Sequence, residues 1–231
     1  MNNIFDTFLY YDEVDILKVR LQYLQPYICK FIICECDYDF NGNYKGFNFN
    51  INNFKEFETQ IIYYKYNLNK NKINNDWFIH DSSRDYLFQK TKKIAKKDSL
   101  IIHGDIDEIP NERYLSFFKK SNINNFSIFC FKQKGYFFKF NLYDDKEFWI
   151  KSKITKLKNI KSFSKLRKLK GKNYHFLRFD TFLHPDKSIK IRVLQNGGWH
   201  FTYMRSTEDI IKKFSSVIEF KYKKKINQIH Y

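Results

Sequence analysis

Glycine and proline are scarce, with seven and three in 231 residues, and this excludes a collagen-like or low-complexity chain. Alanine occurs once, as Ala95, and only seven of the 42 basic residues are arginine. Asn, Lys, Ile, Phe and Tyr take up the composition instead, which is the mark of AT-rich coding. No stretch approaches the ~18 apolar residues of a membrane span. Met1 is followed by Asn2 and Asn3 rather than by a basic segment and an apolar core. The chain is therefore expected to have neither a signal peptide nor a membrane anchor. Its four cysteines, at 29, 34, 36 and 130, match no zinc spacing such as paired C-x-x-C. Free buried thiols in a reducing compartment are expected, with a disulfide as the lesser alternative.

Aromatic residues are abundant: 26 Phe, 17 Tyr and 3 Trp supply enough buriable surface for a core and argue against disorder. The length suits one large domain, since cores split beyond ~250 residues. A net charge of +17 points to nucleic acid, anionic lipid or an acidic substrate. Lysine inflated by coding bias offsets that inference, because much of the charge then reads as a solvated coat.

The first half alternates strand and helix patterns, as a parallel sheet with covering helices requires. Residues 3–11 read as a first strand. Asp12 can cap a helix in which Val14, Leu17, Leu21 and Leu24 form one apolar stripe, closed by Pro26. The apolar run 28–35 reads as a strand covered on both faces, and a polar loop at 37–53 follows it. A third strand is expected at 59–66, then a Lys/Asn-rich loop at 67–76. Ser82 and Asp85 resemble a capping box opening a helix to about Lys97. A fourth buried strand spans 99–104.

That strand runs into Gly104-Asp105-Ile106-Asp107-Glu108-Ile109-Pro110. On an extended chain Asp105 and Asp107 point to the same side, with Ile106 opposite. Ligands bind at the carboxyl ends of strands in open α/β sheets. Two carboxylates there suit a hard divalent cation that also bridges substrate phosphates, with Glu108 in support. The plain alternative is a solvated acidic turn.

Beyond Pro110 the pattern predicts antiparallel pieces at 126–131, 136–142, 148–157, 174–179, 189–194 and 199–204. Residues 151–172 hold ten Lys and Arg with apolar residues every third position, an extended or amphipathic basic surface that either attracts phosphate or is simply solvated. Asn196-Gly197-Gly198-Trp199-His200-Phe201 suits a loop bearing a ligand-facing side chain. His200 is a metal-ligand candidate or a satisfied core histidine. A last helix is expected over 207–220.

Four blocks, FDTFLYYDEVDILKVRLQYL (5–24), FIICECDYDFNG (31–42), SLIIHGDIDEIP (99–110) and NGGWHFTYMRSTEDIIKKF (196–214), resemble glycosyltransferase family 17, the β-1,4-mannosyl-glycoprotein N-acetylglucosaminyltransferases. YFFKFNL (136–142) is similar to the family's aromatic run ending in Asn-Leu. The chain departs from relatives at Glu35-Cys36-Asp37-Tyr38-Asp39, where they carry Glu-Ser-Asn-x-Thr, and at Lys45-Gly46-Phe47, where Lys-Pro-Leu is common. Animal members are anchored in the Golgi, whereas this chain starts directly at its first strand, so a bacterial or viral-host cytosol is the expected compartment.

The resemblance implies an α/β fold of GT-A type: a Rossmann-like nucleotide-sugar-binding sheet with covering helices and antiparallel additions in the second half. The expectation is one domain over 1–231, with residues 1–110 as the nucleotide-sugar half and 111–231 as the acceptor half. The implied reaction is metal-dependent, inverting transfer of a sugar from a UDP-sugar, UDP-GlcNAc by resemblance, to a glycan hydroxyl. Mn²⁺ or Mg²⁺ would be held by Asp105, Asp107 and His200. Tyr10 and Glu13 would lie at the base and ribose; Glu35, Arg84, Asp105 and Trp199 are the further donor contacts. The base that activates the acceptor is sought among Asp144, Asp145, Glu147 and Glu208. The competing class is a basic protein that binds nucleic acid or acidic glycan without catalysis, although no nucleic-acid motif supports it.

Overall fold

The strands at the centre of the sheet are buried on both faces, and their odd and even apolar residues feed two separate cores. In β1 (Ile4–Leu9) Ile4 and Phe8 face one side and Phe5 the other; in β4 (Leu100–His103) Leu100 and Ile102 oppose Ile101. The first core also takes Leu17, Leu21 and Leu24 of α1 (Val14–Leu24) and Leu115 and Phe118 of α3 (Glu112–Lys120). The second lies under α2 (Phe78–Ile94) and α4 (Phe163–Lys168) through Leu87, Phe88, Phe163 and Leu166. The computed structural model describes residues 1–73, 75, 77–123, 127–138, 142–171, 190–202 and 204.

The remaining strands are β2 (Lys30–Cys36), β3 (Ile61–Tyr66), β5 (Glu108–Pro110), β6 (Ser127–Phe137), β7 (Tyr143–Trp149), β8 (Lys153–Lys156) and β9 (Lys190–Thr202). They form one open mixed sheet in the order β3-β2-β1-β4-β8-β6-β9-β5, with β7 also on β6. The first four strands of that order run parallel; β8 is antiparallel to both β4 and β6. The carboxyl ends of β1 and β4 therefore open side by side, where Thr7 pairs with His103 and the acidic turn begins.

The first four strands fall where the sequence places them, but several boundaries differ. The cap position of α1 is Glu13, not Asp12, and no side chain caps it; the Glu13 carboxylate instead accepts from the Tyr11 and Asp12 amides. Helix α2 starts at Phe78, so Ser82 and Asp85 lie inside it and form no capping box. Asp85 caps the other helix, accepting from the Ser164 amide at 3.0 Å and its hydroxyl at 2.8 Å. Helix α3 was not expected; it opens because Asn111 accepts from the Arg113 amide, just past Pro110. Strand β6 runs on to Phe137, residues 148–157 divide between β7 and β8, and β9 joins two expected strands into one. Pairing of β6 with β9 is parallel, not antiparallel. The segment 151–172 is no basic surface on its apolar side, because Ile154, Leu157, Ile160, Phe163, Leu166 and Leu169 are all buried. All four cysteines are free, and Cys34, Cys36 and Cys130 are buried. The strand expected at 174–179 and the helix expected at 207–220 lie outside the described residues.

The Gly-Gly pair earns its place by close backbone packing rather than by serving a ligand loop. Gly198 has φ +130, and a Cβ there would sit 2.1 Å from the Ile109 carbonyl oxygen; one on Gly197 would meet the Lys132 amide at 2.7 Å. Both lie in β9 between β5 and β6. Gly198→Ala is predicted to lower unfolding free energy by at least about 2 kcal/mol, through strain and a backbone clash. Equal denaturant midpoints for variant and wild type would contradict this.

Candidate active site

Asp105, Ile106 and Asp107 form a turn between β4 and β5, not an extension of the strand; the Glu108 amide donates to the Asp105 carbonyl at 3.1 Å. The two aspartates still share a side, because Ile106 is buried in the first core while both acids line one cavity. Arg20 holds this turn from below. Its side chain is fully buried, bonded to both oxygens of Asp6 at 2.8 Å, and it donates to the carbonyls of Asp105, Ile106 and Glu108 at 2.9 to 3.0 Å. No sequence pattern marked Arg20 apart from its place on the buried stripe of α1.

A second arginine binds the side chains of the turn. Arg167, from the last turn of α4, reaches Asp105 Oδ2 and both oxygens of Glu108, each at 2.5 Å. Arg84 of α2 takes the other Asp105 oxygen at 2.9 Å. The Glu108 carboxylate is wholly buried and also accepts from Trp149 Nε1 and the Asp105 amide. Gly104 makes room for this, since a Cβ there would lie 2.7 Å from Glu108 Oε2 and 2.8 Å from Ser152 Oγ. Burial alone would push the Asp105 carboxyl up, but the charges of Arg167 and Arg84 overcome it and hold it well below the usual carboxylate range. Burial likewise disfavours the Arg167 cation, yet Asp105 and Glu108 hold its affinity for the proton above the ordinary value.

Within the same cavity Asp107 lies toward β9. Its Oδ2 lies 3.8 Å from His200 Nε2, and the His200 ring stacks on Trp149 at 4.5 Å. The Asp107 carbonyl accepts from the Phe201 amide at 2.9 Å, which fixes the turn against β9. Among the described residues no group of three His, Cys, Asp or Glu side chains is gathered for a metal ion.

The cavity has a volume of about 500 Å³. Its charged lining comprises Glu13, Asp81, Asp105 and Asp107 against Arg84, Lys151, Arg167 and Lys168, so its wall is close to neutral although the chain carries +17. At one end sit Tyr11, Phe40, Trp77 and His80. Phe40 and His80 stack at 3.5 Å, and Tyr11 stacks on Phe40 at 6.2 Å. Burial, reinforced by the Arg84 charge, lowers the His80 pKa to about 3, so this ring is neutral across the physiological range.

Of the residues expected at the site, Tyr10, Glu13, Arg84, Asp105, Asp107 and His200 line the cavity. Glu35 does not. Its buried carboxylate pins the polar loop, accepting from Lys45 Nζ at 2.5 Å, the Asn48 and Phe49 amides and the Tyr63 hydroxyl. Asp37 and Asp39 are likewise occupied with loop amides. Trp199 turns to the core side, edge-on to Tyr23 at 5.5 Å. Asp144, Asp145 and Glu147 belong to β7, but their side chains lie outside the described part, and Glu208 lies outside it entirely. Sequence reasoning did not single out Lys151, Arg167, Lys168, Trp149, Phe40, Trp77 or His80; the basic run 151–172 was the one signal for the first three, and it named no residue within it.

The acidic turn, the two clamping arginines and the cavity lie at the carboxyl ends of parallel strands in an open sheet, the place where α/β proteins bind small ligands. The family model of glycosyltransferase family 17 matches residues 1–217, so the chain belongs to that family and is a glycosyltransferase. No curated protein matches it. Among solved structures it is similar to 4-diphosphocytidyl-2C-methyl-D-erythritol synthase from Anaerococcus prevotii DSM 20548, at 13% identity and a TM-score of 0.44 over 93% of this chain and 95% of that one. That likeness is too distant to carry an inference. Among the described residues no helix is long and apolar enough to cross a membrane.

Buried Lys153 joins the two segments that bring basic groups to the cavity: its Nζ donates to the Lys151 carbonyl at 2.8 Å and the Arg167 carbonyl at 3.3 Å. Burial lowers its pKa from 10.5 to about 8. Between those values the unfolded chain holds more protons, so stability rises with pH. Wild type is therefore predicted to gain stability relative to Lys153→Met between pH 8 and 10.5, read from denaturant midpoints at both ends. A difference that is flat with pH would contradict the prediction.

Proposed function

We propose that this glycosyltransferase moves a sugar from a nucleotide-diphosphate donor, UDP-GlcNAc, to a glycan hydroxyl with inversion, on a GT-A type sheet, and that a divalent cation takes part. The observation that carries this is the neutral cavity wall. Arg84 and Arg167 are already committed to Asp105 and Glu108, so apart from Lys151 the wall offers little uncompensated positive charge to an anionic diphosphate. A hard cation held by one or two protein groups and by the donor's own phosphates supplies what is missing.

Asp107 and His200, 3.8 Å apart on the cavity wall, fit that requirement. Asp105 was expected as a metal ligand as well; its oxygens instead orient Arg84 and Arg167, whose own charges face the same space. When bound, Mn²⁺ or Mg²⁺ would neutralise charge on the leaving diphosphate. Arg84 and Arg167 would orient the donor's phosphates, and the aromatic end at Tyr11, Phe40, Trp77 and His80 would take its base and ribose, with the Tyr10 ring packed beneath in the first core. Glu13 lies at the same end. The base that removes the acceptor proton is assigned to the acids of β7, Asp145 and Glu147, or to Glu208.

The competing nucleic-acid reading rested on the basic run, and that run's cations are in part withdrawn from solvent: Lys153 and Arg167 are buried. Asp107→Asn is predicted to lower Mn²⁺-dependent transfer from UDP-GlcNAc by ~100-fold or more while leaving the circular dichroism spectrum unchanged. Wild-type turnover by this variant would remove the proposed metal site.

A further inference from the structure

Among the cations on the cavity wall, three have carboxylate partners: Arg84 and Arg167 in the clamp on Asp105, and Lys168 with Asp81. Lys151 has none among the described residues, and its side chain is exposed at the cavity. Its position is nevertheless fixed. The Lys151 carbonyl is held by buried Lys153, and Lys153 pairs with His103 at the end of β4. Since β8 runs antiparallel to β4, residue 151 lies two positions beyond that pair, in the direction in which β4 continues to Asp105. Two residues before it, Trp149 is anchored on Glu108 and stacked on His200.

We infer that Lys151 is the side chain that, beside the divalent cation, receives the negative charge of the departing diphosphate. The inference rests on the nucleotide-sugar reading above. In the transfer step the acceptor oxygen forms a bond to the anomeric carbon as the bond from that carbon to the β-phosphate oxygen breaks. The electron pair leaves with the β-phosphate, and the acceptor proton passes to the base. The charge that grows on the β-phosphate meets an ammonium that no carboxylate among the described residues neutralises. Lys151 thus reads the presence of a second phosphate, whereas Arg84 and Arg167 are constrained by the acids they bind.

The test is calorimetric titration of UDP and of UMP, in Mn²⁺, into wild type, Lys151→Met and Lys151→Arg, with Lys165→Met as a control on the same basic run. Lys151→Met is expected to weaken UDP by about tenfold or more and UMP by less than about twofold, since a hydrogen bond to a charged group is lost only with UDP. Lys151→Arg should restore most of the preference for UDP, and Lys165→Met should bind as wild type does. If Lys151→Met keeps the wild-type preference for UDP over UMP, the inference is overturned while the donor reading stands. If wild type binds neither nucleotide, both fall together.

Discussion

The buried ion pair between Arg20 and Asp6 is the contact on which the rest of the site depends. One guanidinium closes on the carboxylate of β1 and, with its remaining nitrogen, on three carbonyls of the acidic turn. Two of those carbonyls, of Asp105 and Ile106, belong to the turn between β4 and β5, outside the strand ladder, and a buried carbonyl without a donor is costly. Breaking a buried pair by removing one partner typically costs ~3–5 kcal/mol, because the other charge is left uncompensated. The turn is thereby a rigid platform. Asp105 can meet the arginines of α2 and α4 while Asp107 reaches His200 of β9 because the backbone between them is held from beneath.

Above that platform the charges are sorted by element. Helices α2 and α4 deliver Arg84 and Arg167 to Asp105 and Glu108, and the two helices are bound to one another by Asp85 at the start of α4 and by the Lys168 pair with Asp81. Strand β9 delivers His200 beside Asp107, and this requires Gly197 and Gly198 to let β9 approach β5 and β6. A chain with a large positive charge therefore presents a nearly neutral pocket, and that is the physical ground for giving a cation a part in transfer.

The central strands, α1 and the acidic turn were legible in the sequence because each is a local pattern: continuous apolar runs, a stripe at helical spacing, two acids directly after a buried strand. Helix α3 was missed because it is short and follows a proline, with only Asn111 to announce it. The joined strands β6 and β9 were read as fragments because Lys132, Lys134 and the two glycines interrupt the pattern that long strands usually keep. Arg20 and Arg167 were invisible for a different reason. Arg20 reaches turn carbonyls 85 to 88 residues away and Arg167 carboxylates 59 to 62 residues away, and nothing about an arginine on a helix says which distant groups it will meet. Glu35 illustrates the reverse error: an acid at a strand end that belongs, by its four donors, to the loop above it.

The measurement that bears most directly on the account is titration of UDP into the wild-type protein in Mn²⁺ and again in EDTA. A metal-assisted donor site in a neutral pocket predicts a single binding event in Mn²⁺ that weakens by an order of magnitude or more when the cation is removed. Binding of equal strength in EDTA would contradict the account, and would leave the arginines and Lys151 to hold the diphosphate without a metal.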